Sequence, residues 1–239
     1  EEVGEACVDP EALLLFSTFA LRRDPELFDE ALDWLSANGK WISLQRLRRM
    51  VREHSLGEPA VLVACAHLLG KGTEGAKWRK VGLIKTQLHS PPRFLFPGSP
   101  EPRSPDPNFM QFGWIRATPE LRGMSRLARF DEPETFLLRL RALFGHQARA
   151  EILACLLSRE SGHPAEIARL TGYFRRTIQQ ALNEMELSGQ AHSIRVGREK
   201  HFSLELDAWR FLLTPKTGEA FPAWIHWPPV FRLMEKLMR

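Results

Sequence analysis

"TGYFRRTIQQALNEMELSGQA", Thr171 to Ala191, is the stretch whose reading decides the fold. Gly172 and Gly189 bracket a run in which Ile178, Leu182 and Met185 fall at i, i+4 and i+7. On a helix that spacing makes one apolar stripe, and the stripe must face a core. Arg175, Arg176, Thr177, Gln179 and Gln180 are thereby turned away, mostly in the N-terminal half. An ordinary solvated face mixes Glu and Lys. This one offers arginine, threonine and glutamine, all flexible hydrogen-bonding groups.

The neighbours extend the pattern. Upstream, "PETFLLRLRALFG", "ARAEILACLLSR" and "HPAEIARLTG" read as three helices, the first ending at Gly145 and the last at Gly172. Ala165, Ile167, Ala168 and Leu170 are small or apolar and let the last of these cross closely over the next helix. Downstream, "QAHSIRV" and "KHFSLEL" alternate polar and apolar around "GRE", the mark of a hairpin. Arg195, Arg198 and Lys200 gather around Gly197 at its tip. Short helix, glycine turn, longer helix, two-stranded hairpin is the order of a winged helix-turn-helix. In that arrangement the N-terminal half of the second helix enters the major groove. Arg forks to guanine and Gln pairs with adenine. Thr bonds phosphate or touches a thymine methyl, and the helix N-terminus favours phosphate. A basic hairpin tip suits the flanking backbone or minor groove.

Residues 143–206 resemble the winged helix domains of bacterial and archaeal transcription regulators of the ArsR/MarR kind. The matching residues are "RAEILACLL", "AEIARLTG", "RRTIQQALNEMELSG" and the "VGREK" wing, about a quarter of the chain. The resemblance implies dimeric binding to a palindromic operator, with Arg175, Arg176, Thr177, Gln179 and Gln180 in the base-reading slots. Two departures stand out. Tyr173 and Phe174 occupy a turn that is small and polar in the family. Metal-sensing members carry cysteine ligands near the motif; the helix here has none, so no metal site is carried over.

The N-terminal part reads as helices throughout. Pro10 to Arg22 is one. Asp24, Pro25 and Glu26 open a second that ends at Gly39, with Leu27, Phe28, Ala31, Leu32, Trp34 and Leu35 as its expected buried stripe. Ser43 opens a third, "LQRLRRMVREH", with Leu44, Leu47 and Val51 inward and its arginines outward. Pro59 opens a fourth. "LDWLSANGKWISLQRLRRM" also reads as helix, glycine turn, helix, with Arg46, Arg48 and Arg49 outward; a plain helical bundle fits it better than a second DNA-binding unit, because no hairpin follows. "GKGTEGAKWRKVG" reads as a basic loop. "SPPRFLFPGSPEPRSPDP" holds seven prolines and reads as an exposed linker or long loop. "NFMQFGWIRA" reads as one strand.

Charge is uneven. Residues 1–60 hold 7 basic and 12 acidic side chains, whereas 61–130 hold 11 and 4. The basic middle suits a phosphate-bearing partner. Residues 145–205 carry 8 basic and 7 acidic side chains, which is weak for a DNA reader. Three cysteines without CxxC spacing point to a reducing compartment. No apolar run approaches the about 20 residues of a bilayer span. The eight histidines show no HExxH spacing, and no GxSxG, Walker or GxGxxG motif occurs.

The expected protein is therefore mainly α with a small β-hairpin wing: a winged helix-turn-helix domain plus an N-terminal helical domain. The expected divisions are 1–70, helical; 71–131, basic, Pro-rich and connecting; 132–206, winged helix-turn-helix; and 207–239, a Trp-rich segment and helix. The expected role is a cytoplasmic, homodimeric transcriptional regulator of double-stranded DNA, with no catalytic residues, cofactor, metal or membrane partner. The tail from Phe221 is expected as a dimer helix, and an effector or protein partner is left open. The rival is a protein-interaction module, such as an antitoxin or defence-system subunit, that does not read DNA.

Overall fold

The computed structural model describes residues 6–72, 75–213 and 221–239, apart from the side chain of Phe211. Thr73 and Glu74 of the expected basic loop, and 214–220 of the expected C-terminal segment, lie outside the described residues. Within them the chain is mainly helical. The helices are α1 Pro10–Ala20, α2 Pro25–Asn38, α3 Leu44–Glu53, α4 Pro59–Leu69, α5 Gly75–Val81, α6 Pro107–Met110, α7 Phe136–Phe144, α8 Ala148–Leu157, α9 Pro164–Thr171, α10 Arg175–Leu187, α11 Leu206–Leu213 and α12 Trp227–Met238. The strands are β1 Ala6–Cys7, β2 Arg93–Phe94, β3 Trp114–Ile115, β4 His192–Val196, β5 Glu199–Ser203 and β6 Ala223–Trp224. They pair as parallel β1–β6, parallel β2–β3 and antiparallel β4–β5.

The chain forms two compact units. Of the described residues, the bundle unit takes those of Pro10–Ala128 and Trp227–Arg239; the hairpin unit takes those of Arg129–His226 and Ala6–Asp9. The second helix starts as its sequence dictates. Asp24 accepts from the Leu27 amide at 3.0 Å and Pro25 opens α2. In the bundle unit, α12 returns to α1, where Phe231 stacks on Phe16 at 4.8 Å and on Trp227 at 5.0 Å. Glu235 of α12 accepts from the Gly57 amide at 2.6 Å; burial pushes its carboxyl up, against the pull of that bond.

Several expectations are corrected here. The tail does not stay together: Phe221 and Trp224 join the core of the hairpin unit, while α12 packs within the bundle unit. Arginine does not all face outward on α3. Arg46 is fully buried and paired with Glu11 of α1; Arg48 donates to the Lys80 carbonyl, and Arg49 pairs with Glu53 at 2.7 Å. The basic loop contains α5, whose Trp78 and Val81 are buried. The Pro-rich stretch is a long, mostly exposed loop as expected of the second alternative, but it is anchored rather than free: its Leu95 and Phe96 are buried. Leu95, Phe96, Phe109 and Trp114 are buried in one cluster with Phe28, Leu32 and Val61. Each such side chain contributes about 1.5–3 kcal/mol, enough to hold irregular backbone against a helical layer. Asp106 caps the short α6 by accepting from the Asn108 and Phe109 amides, so "NFMQFGWIRA" is a helical turn followed by β3 rather than one strand.

Candidate nucleic-acid interface

In the hairpin unit α8 is buried on nearly every side, and α7, α9 and α10 pack around it. Ile178, Ala181, Leu182 and Met185 of α10 are all buried. Tyr173 fills the same core at 1% exposure, which is why this turn carries a large ring where a small residue was expected. Gly172 ends α9 at φ +74°, a left-handed conformation that glycine adopts without strain. His163 caps α9, its Nδ1 accepting from the Ala165 amide at 3.3 Å. The 172–174 turn then redirects the chain into α10.

The core stripe leaves Arg175, Arg176 and Gln180 exposed, with Thr177 and Gln179 half-buried. The two guanidiniums have no partner among the described residues. The glutamines are engaged along their own helix: Gln179 Nε2 donates to Asn183 Oδ1 and Gln180 Nε2 to Glu184 Oε1, both at 3.0 Å. Glu184 also pairs with Arg149 of α8. The order of charge along α10 runs against its own dipole. Its first turn holds arginines and no acid, and its last turn holds no base. Helix electrostatics favours the opposite placement by about 0.3–1 kcal/mol per group. Phe174 before it gives no side-chain cap. Stability therefore does not account for Arg175 and Arg176.

The hairpin β4–β5 turns tightly at Gly197–Arg198, with Val196 opposite Glu199 and Gly197 at φ +64°. Arg195 and Arg198 are exposed, again with no partner among the described residues. Lys200 is different. Its Nζ donates to Glu186 of α10 at 2.6 Å and lies over the Phe202 ring at 4.9 Å. Ser193 donates to the same carboxylate. These bonds, with Lys200 first, lower the Glu186 carboxyl from its ordinary value. Glu186 thus fastens the hairpin to the C-terminal half of α10 and fixes the angle between tip and helix. Sequence reading missed it, because nothing in the 7- and 14-residue separations from Ser193 and Lys200 signals a contact. It also grouped Lys200 with Arg195 and Arg198 at the basic tip, whereas the ammonium is held by Glu186.

A depressed carboxylate adds stability above its ordinary value, and the gain is lost as pH falls through the lowered one. The protection of β4 and β5 amides, relative to the unfolded chain at the same pH, is therefore expected to fall below the usual glutamate range in the native chain. In Glu186→Gln it should be low already at neutral pH. Identical exchange in the two proteins at pH 7 would dismiss the tie.

All three cysteines are buried thiols outside any disulfide, and burial pushes the Cys65 thiol up to about 12 and Cys155 to about 11. His67 bonds Asn108 at 3.2 Å and Gln111 at 3.0 Å. Among the described residues no cluster of His, Cys, Asp and Glu is placed to hold a metal ion, and no helix is long and apolar enough to cross a membrane. No protein-family model matches the chain, and no curated protein or solved structure is significantly similar to it. A function has to be read from geometry.

Proposed function

We propose that the hairpin unit is a winged helix-turn-helix module that binds double-stranded DNA and serves a transcriptional regulator, in the manner of the ArsR/MarR kind it resembles. α10 enters the major groove by its N-terminal half. Arg175 and Arg176 reach bases or phosphates at the entrance, and Gln179 and Gln180 read adenine edges once they leave Asn183 and Glu184. Arg195 and Arg198 of the hairpin tip lie on the flanking backbone or in the minor groove. One observation carries the reading: two guanidiniums without a partner among the described residues sit where the helix dipole opposes them. A phosphate at a helix N-terminus reverses that penalty.

Arg176→Ala is expected to weaken binding to a selected duplex by about 1–3 kcal/mol and to flatten preference at one base position. Arg198→Ala weakens binding to every duplex and lowers the salt slope by about 1. Fluorescence anisotropy on a selected and a random duplex, over a range of salt, separates the two effects. Equal losses on both duplexes for both variants would end this division of labour.

The second reading, a protein-interaction module, is favoured by a different observation. Phe174, Leu187, Ile194 and Val196 are each more than half exposed, at 52%, 88%, 56% and 55%. Such side chains suit a protein partner rather than a phosphate backbone. Duplex binding without a salt slope, or none at all, decides for it.

A further inference from the structure

Leu27, Ala31 and Trp34 lie on successive turns of α2, a spacing that belongs to a core. Phe28, Leu32 and Leu35 beside them do face the core. The first three do so only in part: Leu27 is 46% exposed, Ala31 is half-buried, and Trp34 is half-buried with one side against the core. They form one wall of a groove of about 1110 Å³ in the bundle unit. The facing wall includes Phe94, 39% exposed, Pro100 and Pro102 of the Pro-rich stretch, and Met124.

Two ties hold these walls in place. Arg116 is buried beside Phe96 and Phe109, its guanidinium 5.1 Å from each ring, and forks onto Asp29 of α2 at 2.8 and 2.9 Å. Asp33 accepts from the amides of Gly123, Met124 and Ser125 at 2.8, 2.9 and 3.0 Å. Burial opposes its ionisation, yet these bonds outweigh it and lower the carboxyl. The apolar stripe is therefore left uncovered by a braced frame.

The charge of the groove then selects its occupant. Glu26, Asp29, Glu30, Asp33, Glu101 and Glu120 line it against Arg116 and Arg122. Asp29 and Asp33 are engaged in the ties. Glu26, Glu30, Glu101 and Glu120 are exposed and have no partner among the described residues. This field repels phosphate and attracts cations. The volume exceeds the roughly 300–1,000 Å³ of small-molecule pockets, and the groove is open along its side. We propose that it docks an extended basic segment of a partner protein, in which arginine or lysine alternates with apolar residues. Alternation sends apolar side chains to the α2 stripe and cations to the rim carboxylates. The proposal is independent of DNA binding by the hairpin unit.

The test uses the full chain and a short fluorescein-labelled peptide alternating arginine and valine. Saturable binding is expected, weakened roughly tenfold in Glu30→Gln/Glu101→Gln/Glu120→Gln. A comparable loss is expected in Leu27→Ser/Phe94→Ser, which removes apolar contact and no charge. Glu160→Gln/Glu205→Gln, in the hairpin unit, should bind as the native chain does. All these positions are exposed or nearly so, so the fold survives each change. Equal binding by the groove variants overturns the proposal. So does equal binding of a glutamate–valine peptide, or capture of benzyltrimethylammonium without capture of the peptide.

Discussion

Arg141→Met lowers the stability of the hairpin unit by about 3–5 kcal/mol. Arg141 of α7 and Glu151 of α8 both have fully buried side chains, and the guanidinium meets Oε1 twice, from Nη2 at 2.7 Å and from Nε at 3.0 Å. Removing the cation leaves a carboxylate in an apolar core made by Leu137, Leu140 and Ile152. The penalty is the desolvation of that surviving charge rather than the worth of the pair. The double variant Arg141→Met/Glu151→Met should recover most of the loss, since two apolar groups of similar length replace two compensated charges. Urea titration followed by amide exchange in α7–α10 reads the effect in this unit alone. A loss below about 1 kcal/mol for the single variant would mean that water reaches the carboxylate.

Arg46→Leu produces a loss of the same size in the bundle unit, about 3–5 kcal/mol, for a related reason. Glu11 of α1 binds Arg46 with one oxygen and accepts from the Ser43 amide, at the start of α3, with the other. Both side chains are wholly buried. The second bond makes the outcome of the double variant different. Glu11→Leu/Arg46→Leu strands the buried Ser43 N–H, so about 1–3 kcal/mol of the loss persists. Glu11→Gln keeps an acceptor for Ser43 but takes the negative charge from the Arg46 contact, so it is expected to lose stability as well, though less than the single arginine change. Thermal unfolding of the three variants gives the ranking. Full recovery in the double variant would show that the Ser43 amide finds another acceptor.

These two pairs also mark where reading the sequence failed. "LQRLRRMVREH" shows three arginines on a helix that needs only a narrow apolar stripe, and solvated arginine is the ordinary expectation. Nothing local distinguishes Arg46 from Arg48 or Arg49. Its acid lies 35 residues away on another helix, so the pair exists only once α1 and α3 have packed. Arg141 and Glu151 are 10 residues apart across a turn, and the same holds for them. Leu27, Ala31 and Trp34 fail in the other direction. Their spacing asks for a core, and the tertiary arrangement leaves Leu27 and one side of Ala31 and Trp34 to a groove instead.

What the chain alone determined is local: helix starts at Asp24 and Pro59, helix ends at Gly145 and Gly172, the hairpin turn at Gly197, and the stripe of Ile178, Leu182 and Met185 with the polar face it implies. Each follows from backbone conformational preference and side-chain period, which act over a few residues. Tertiary structure alone decided which charges are free. It left Arg175, Arg176, Arg195 and Arg198 without partners among the described residues, tied Lys200 to Glu186, buried Arg46 and Arg141, and drew the Pro-rich middle onto α2 and α4. Those outcomes depend on desolvation and pairing between residues far apart in sequence, and such energies have no value until the partners meet.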